Sequence, residues 1–235
     1  MKPFFVLYFR IIFCCLIGAV GCSMAAAQLQ ASKPTLVKPV QNSKFCDQIP
    51  SLVEPLLQVK NVEIDQILVF KSTKQMFLMS QGKVVKAYPV SFGFAFAQGP
   101  KIKEGDGKTP EGIYYIEDKP KKSNYHLALR ISYPSAYDRE FAQQNNVRVG
   151  SDIMIHGFPD KPIDGLDPVK VKKNHGQVHW TRGCIAVNNE QIEEIYSRVR
   201  VGTAIEICAL NKPLHQPINE SKIIQDLARP RASRF

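Results

Sequence analysis

The stretch ILVFKSTKQMFLMSQGKVVKAYPVSFG, residues 67–93, decides the fold. It holds three short runs rich in branched and aromatic residues, which are separated by the turn-like segments Ser-Thr-Lys and Gln-Gly. Runs of this length and composition, bounded by turn residues, are typical of neighbouring strands in an antiparallel meander. The sequence therefore predicts a mainly β (β-rich α+β) domain, which we place at residues 66–210.

More strands are predicted after this meander. YHLALRISYP indicates a strand that ends before Pro134, SDIMIHGF a strand that runs into His156, and TAIEICAL a strand that closes the domain. Between the meander and these strands lies GPKIKEGDGKTPEG, residues 99–112. So many glycines and prolines between strands predict a long surface loop of the kind that often lines a site.

Two helices are predicted. Residues 138–144 indicate a short one, and NNEQIEEIYSRVRVG, residues 188–202, indicates the clearest one. In the second, Asn188 and Gln191 have the spacing of a capping pair, and apolar residues recur at helical spacing. Gly202 suits the C-terminal end of that helix.

The two ends of the chain are expected to lie outside the domain. Residues 1–27 read as a signal peptide, with few charges, an apolar run and the small residues 25–27 before a cleavage site near Ala27. The alternative is lipidation at Cys22, in the imperfect lipoprotein box Ala-Val-Gly-Cys, which would tether the protein to a membrane. Residues 28–65 are predicted to be an irregular lead-in, and residues 211–235 a peripheral tail.

Charge and cysteine usage narrow the class of protein. The net charge of +10 either favours anionic partners such as envelope polymers or membrane faces, or serves solubility alone. No zinc-finger, helix-turn-helix or basic-aromatic pattern predicts binding to nucleic acid. After cleavage of the leader, Cys46, Cys184 and Cys208 remain, so at least one thiol is unpaired in an oxidising compartment. A bridge between Cys46 and Cys208 would leave Cys184 free, but the sequence does not establish that pairing.

Cys184, in TRGCIAV (residues 181–187), is the candidate nucleophile. Gly183 lets the backbone bend so that the thiol and nearby N–H groups can face one point, and His156, at the end of an apolar strand, is the best candidate base. Such a Cys–His pair is expected to lower the pKa of the thiol and to give thiolate near neutral pH. The alternative is that Cys184 is inert packing.

The combination of I-H-G with T-R-G-C-I-A-V-N resembles the signature of L,D-transpeptidases with a YkuD-type catalytic domain. The likeness extends to PVSFG, to the glycine-rich segment and to the closing helix and strand, covers roughly residues 66–210, and is nearest to the murein branch called YafK-like. It implies a β-sandwich with a few short helices. It also implies a cysteine acyltransferase of the periplasm or cell envelope that needs no cofactor or metal and acts on peptidoglycan stem peptides.

The resemblance also implies roles for individual residues. Cys184 would be the nucleophile, His156 the general base and then the general acid, and the Gly157 carbonyl the group that orients the imidazole. The N–H groups of Gly183 and Cys184 would bind the oxyanion. Thr181 and Arg182 are also expected to contact substrate. The aromatic Tyr133 and Trp180 are expected either to line the pocket or to pack against the sheet.

The chain departs from this family pattern at two positions. The family often has histidine where this chain has Arg182, and arginine where it has Ala186. Hydrolysis of a link to diaminopimelate, such as one that joins a lipoprotein to murein, is therefore an alternative to transpeptidation. A non-catalytic murein-binding module is a further alternative.

A zinc site is a separate alternative. His175 and His179, with Cys184 and His156, would supply four ligands of suitable type. Otherwise His175 and His179 are expected to be exposed loop residues, and the aromatic Tyr125 to pack against the sheet or to contact substrate.

Overall fold

The computed structural model describes residue 46 and residues 62–120, 123–162 and 166–210, all within one compact unit of the chain. The predicted signal peptide, Cys22, most of the predicted lead-in and the tail at 211–235 lie outside the described residues. In the described ranges, no helix combines the length and the apolar character needed to cross a membrane.

The described part is rich in β-strands and has few helices, as predicted. The helices are α1 (Ala136–Gln144), α2 (Pro168–Lys173) and α3 (Asn189–Arg198). The strands are β1 (Ile64–Phe70), β2 (Gln75–Ser80), β3 (Lys83–Pro89), β4 (Gly112–Asp118), β5 (Ala128–Ile131), β6 (Met154–His156), β7 (Ile185–Ala186) and β8 (Val199–Cys208).

The strands follow the order β3-β2-β1-β8-β4-β5-β6-β7. The predicted meander is confirmed, because β1 pairs antiparallel with β2 and β2 antiparallel with β3. Strand β8 then enters between β1, to which it is parallel, and β4, to which it is antiparallel. The first half of β4 pairs with β8 and its second half with β5, so this strand passes from one half of the sheet to the other.

The two halves share one core. Alternate residues of β1, β2 and β8 face it from one half, alternate residues of β5, β6 and β7 face it from the other, and helix α3 contributes Ile192 and Ile195. Because side chains alternate along a strand, Ile155 and Ile185 point into the core while their neighbours point to the opposite face. That opposite face of β6 and β7 carries the candidate site.

The predicted helix at 188–202 begins where expected and ends earlier. Asn188 is its N-cap, and the predicted capping pair with Gln191 is present. The expected end at Gly202 is wrong: the helix ends at Arg198, because Val199 already pairs with Ile64 as the first residue of β8. Gly202, with φ of 91°, lies within that strand instead.

The structure joins Cys46 to Cys208 in a disulfide, with their Cα atoms 5.6 Å apart. This is the pairing that the sequence left open. Cys184 is the free cysteine of the described residues, which is the arrangement that its candidate role requires.

Candidate active site

Cys184 and His156 lie on the same face of the sheet. In the parallel pairing of β6 with β7, Ile155 is opposite Ile185 and His156 is opposite Ala186, so Cys184 stands beside Met154. Residues two apart on a strand point to the same side, so Cys184 points to the same side as Ala186 and its partner His156. The side chains of Cys184 and His156 therefore both project from the face that is opposite the core. The half-buried Cys184 thiol lies 3.5 Å from the carbonyl oxygen of Asp152 and accepts a hydrogen bond from the Met154 N–H.

One nitrogen of the His156 ring is already engaged. Nδ1 lies 2.7 Å from the carbonyl oxygen of Gly157, and a carbonyl can only accept, so Nδ1 carries the proton. In the neutral ring this leaves Nε2 as the basic nitrogen. The predicted orienting role of the Gly157 carbonyl thus has its geometry in the structure.

Aromatic rings enclose the imidazole. The Tyr125 ring lies 4.2 Å from the His156 ring, centroid to centroid, and the Trp180 ring meets it edge-on at 5.6 Å. The His156 side chain is consequently almost sealed from water, with 1% of the residue exposed. Tyr125 therefore packs directly on the candidate base, which its sequence context did not reveal.

This burial overturns the expected thiolate. Burial lowers the pKa of His156 to about 4, although the hydrogen bond to Gly157 opposes that shift. Burial also raises the pKa of Cys184 to about 11; the Asp152 carboxylate adds to the increase, and the Met154 N–H and Lys101 oppose it. Near neutral pH the resting site therefore holds a neutral thiol and a neutral imidazole, so the thiol must lose its proton during the attack.

The turn before Cys184 is fixed by Thr181. Its hydroxyl donates to the Cys184 carbonyl at 2.7 Å and accepts from the Gly183 N–H at 3.1 Å. The expected oxyanion donor Gly183 N–H is therefore engaged, whereas the Cys184 N–H donates to no acceptor among the described residues. Gly183 has φ of 137°, and a Cβ there would lie 2.8 Å from the Lys108 carbonyl oxygen, so this position requires glycine.

The predicted glycine-rich loop supports this turn. An ideal Cβ on Gly93 would lie 2.2 Å from the Gly107 carbonyl oxygen and 3.0 Å from the Gly183 Cα, so three backbone segments meet without side chains between them. The loop is tied down by Lys71, which is fully buried. Its Nζ lies 2.6 Å from the Glu111 carboxylate and 3.2 Å from the carbonyls of both Gly99 and Thr109.

Asn189 holds the peptide that orients His156. Its Oδ1 accepts from the Phe158 N–H at 2.8 Å. That N–H and the Gly157 carbonyl belong to the same peptide unit, which is planar, so fixing the N–H fixes the direction of the carbonyl bound to Nδ1. Gly157 is closely packed here, because a Cβ on it would lie 2.8 Å from the same Oδ1. Sequence reasoning missed Asn189, because its partner lies 31 residues away.

The other predicted substrate residues are dispersed. Arg182 is exposed, two residues before the thiol, and Trp180 packs against His156. The expectation that Tyr133 lines the pocket is wrong: it lies in the core, 4% exposed, and its hydroxyl donates to the Val149 carbonyl. Ala186 is buried in the apolar cluster that contains Trp180 and Phe158.

The four residues of the zinc alternative do not converge. His175 lies between Ser91 and the Pro89 carbonyl, and the Nδ1 of His179 accepts from the Phe92 N–H, so neither is a simple exposed loop residue. Among the described residues, the single cluster with metal-binding geometry is Cys46, Glu206 and Cys208, whose cysteines form the disulfide.

Comparisons with known proteins agree with the fold. A family model of the L,D-transpeptidase catalytic domain, YkuD, matches residues 64–207. The chain is 30% identical over 145 residues to the putative L,D-transpeptidase YafK of Escherichia coli K12, an alignment that covers 61% of this chain and 46% of that protein. The chain thus spans about half the length of the curated relatives it matches.

Solved structures with a similar fold include a mutant of the helical cell shape determining protein Pgp2 from Campylobacter jejuni. It is 25% identical with a TM-score of 0.45, and the match covers 63% of this chain and 47% of that one. An L,D-transpeptidase from Mycobacterium smegmatis is 16% identical with a TM-score of 0.39, over 60% of this chain and 57% of that one.

Proposed function

Because the chain belongs to the L,D-transpeptidase catalytic domain family, we propose that it is a cysteine acyltransferase that acts on peptidoglycan stem peptides in the cell envelope. One observation carries this proposal. Cys184 and His156 stand on one face of neighbouring strands, with Nδ1 of the histidine held by Gly157 so that Nε2 remains as a base. A thiol and an oriented imidazole on one face of neighbouring strands are the groups that acyl transfer through a thioester requires.

The first half-reaction begins with a neutral pair. Nε2 of His156 removes the thiol proton as Sγ of Cys184 attacks the peptide carbonyl carbon, and the Cys184 N–H binds the oxygen that becomes negative. The carbon–nitrogen bond then breaks, and the imidazolium gives its proton to the departing amine. The donor is left as a thioester on Cys184. The Gly183 N–H already donates to the Thr181 hydroxyl, so it can also bind the oxyanion only if it divides its hydrogen bond between the two oxygens.

The second half-reaction decides the product. An amine acceptor that gives its proton to His156 and attacks the thioester forms a new peptide bond, which is transpeptidation. Water that attacks in the same way releases the acid, which is hydrolysis. Both outcomes use the same residues, so the acyl-enzyme is the common step.

One feature favours hydrolysis as a second candidate. Ala186, beside His156, is a small apolar residue that is fully buried, so this position of β7 offers no polar group to an amine acceptor. The second candidate is therefore hydrolysis of links to diaminopimelate, which would release a murein-bound lipoprotein.

The proposal is tested by incubating purified protein with murein sacculi and analysing the muropeptides. We expect the wild type to change the profile and Cys184→Ala to leave it unchanged while still binding sacculi. New cross-links identify a transferase, and shortened or released peptides identify a hydrolase. A wild type that binds sacculi without changing them would identify a non-catalytic murein-binding module, and equal products from both proteins would refute the role of Cys184.

Placement in the periplasm is part of the proposal, through cleavage of the predicted leader or through a lipid on Cys22. Cell fractionation separates these routes. A tethered protein sediments with membranes and becomes soluble in Cys22→Ala, whereas a cleaved protein is soluble in both forms.

A further inference from the structure

Arg130 lies on the same face of the sheet as the candidate nucleophile. The pairing of β5 with β6 puts Arg130 opposite Met154, and the pairing of β6 with β7 puts Met154 beside Cys184. Side chains in one such row point to the same side. Two strand spacings separate the ends of the row, so the Cα atoms of Arg130 and Cys184 are about 10 Å apart.

Asp152 connects the guanidinium to the thiol. Its carbonyl oxygen is the atom that lies 3.5 Å from Cys184 Sγ, and its carboxylate lies 3.6 Å from Nε of Arg130. Asp152 has φ of 59°, an uncommon value for a residue other than glycine, which lets one residue present both groups. Asp152 therefore contacts both the guanidinium of Arg130 and the thiol of Cys184.

Asp152 holds the guanidinium of Arg130 only loosely. Nε is enclosed and has no hydrogen-bond partner among the described residues, and the 3.6 Å to Asp152 exceeds the length of an N–H···O bond. The side chain is 38% exposed and that of Asp152 is 62% exposed, so water screens their mutual attraction. Because Nε itself is enclosed, a ligand can reach the guanidinium only through its terminal nitrogens.

We propose that Arg130 binds a carboxylate of the acyl donor. The inference rests on the proposed function and adds a substrate class to it: peptides with a free carboxylate on the attacked residue or on its direct neighbour. The guanidinium presents a planar fork of donors that matches the two carboxylate oxygens, and an ion pair of this kind is strong when it is partly shielded from water. An extended peptide advances about 3.4 Å per residue, which keeps such a carboxylate within reach of both the thiol and Arg130.

The test measures binding, so that it does not depend on turnover. The protein carries Cys184→Ala throughout, and the ligands are a synthetic stem tetrapeptide and versions in which each carboxylate in turn is converted to an amide. Dissociation constants are measured by titration calorimetry for the parent, for Arg130→Met and for Arg148→Met. Arg148 is the matched control, because it is an exposed arginine paired with Glu104.

We expect one amide to bind the parent about tenfold more weakly than the acid peptide does, as for the loss of one charge-assisted pair. Arg130→Met should bind the acid peptide about tenfold more weakly than the parent does, and it should bind that amide peptide as tightly as the parent does. Arg148→Met should change neither dissociation constant. Equal weakening of acid and amide, or no preference of the parent for any acid over its amide, overturns the inference. A sacculus assay in which Cys184 is active would leave the proposed function standing in that case.

Discussion

Asn189→Ala tests whether the asparagine acts on His156 through the Gly157–Phe158 peptide. The variant removes the acceptor of the Phe158 N–H, which lies 2.8 Å away, and it touches neither the imidazole nor the thiol. The peptide is then free to tilt, and the 2.7 Å bond from Nδ1 to the Gly157 carbonyl weakens. That bond matters most when the ring is charged, which happens during the attack, so the rate of acylation is expected to fall more than substrate affinity.

The size of the effect can be bracketed. If only the neutral bond of Asn189 is lost from the transition state, about 1 kcal/mol disappears, which is about a fivefold decrease in rate. If the tilt abolishes the charge-assisted bond from His156 to Gly157, about 1.5–3 kcal/mol disappears, which is about a 10- to 150-fold decrease. We therefore expect a decrease between about fivefold and about 150-fold.

The assay is single-turnover acylation of Cys184, followed by intact mass, together with the pKa of His156 from NMR titration. Asn189→Asp keeps the acceptor and adds a negative charge, so it should restore the rate and raise the pKa of His156, whereas Asn189→Ala lowers it. The matched control is Asn188→Ala, which removes the N-cap of the same helix without touching the peptide. The reasoning is refuted if Asn188→Ala slows acylation as much as Asn189→Ala does, or if Asn189→Asp is no faster than the alanine variant.

Three further outcomes follow from the site. With the pKa of Cys184 raised to about 11 and that of His156 lowered to about 4, alkylation by iodoacetamide should accelerate about tenfold per pH unit from about pH 7 to about pH 10; a plateau already reached at pH 7 would indicate a preformed ion pair. Lys71→Met should lower the free energy of unfolding in urea by about 3–5 kcal/mol, because it leaves the Glu111 carboxylate buried and unpaired. The double variant with Glu111→Leu should recover most of that loss, and no recovery would contradict the argument. Gly183→Ala should cost about 1–3 kcal/mol in the same measurement and abolish acylation, whereas unchanged stability and rate would show that the turn tolerates a side chain.

Features that depend on neighbouring residues could be predicted from the sequence. The meander was visible because branched residues and turn residues alternate over short distances, and α3 was visible because Asn188 and Gln191 are three apart. The candidate pair of Cys184 and His156 came from the residues on either side of each one and from the family resemblance. The end of α3 was missed, because the pairing of Val199 with distant Ile64 outweighs the local preference for a helix.

Features that depend on the three-dimensional arrangement of the chain could not be predicted. Nothing near Gly183 in the sequence shows that its N–H is taken by the Thr181 hydroxyl, since that depends on the angle of the turn. The pKa of the thiol was predicted in the wrong direction, because a Cys–His pair read from spacing carries no information about burial. The sequence around Arg130 does not mark it as a site residue, since only strand register places it in the row of Cys184.

The strand order explains why Cys184 stays free in a chain that also holds a disulfide. Cys208 ends β8, whereas Cys184 precedes β7, and β4, β5 and β6 lie between these two strands. Cys46 and Cys208 pack with residues of β1 and β2 that face away from the shared core, and Cys184 lies on the face of β6 and β7 that is opposite the same core. The core therefore lies between the bridge and the thiol. A disulfide needs its two Cα atoms within about 7 Å, so Cys184 cannot exchange into the Cys46–Cys208 bridge while the sheet is folded. The position of Cys184 in the fold thus keeps it out of that bridge.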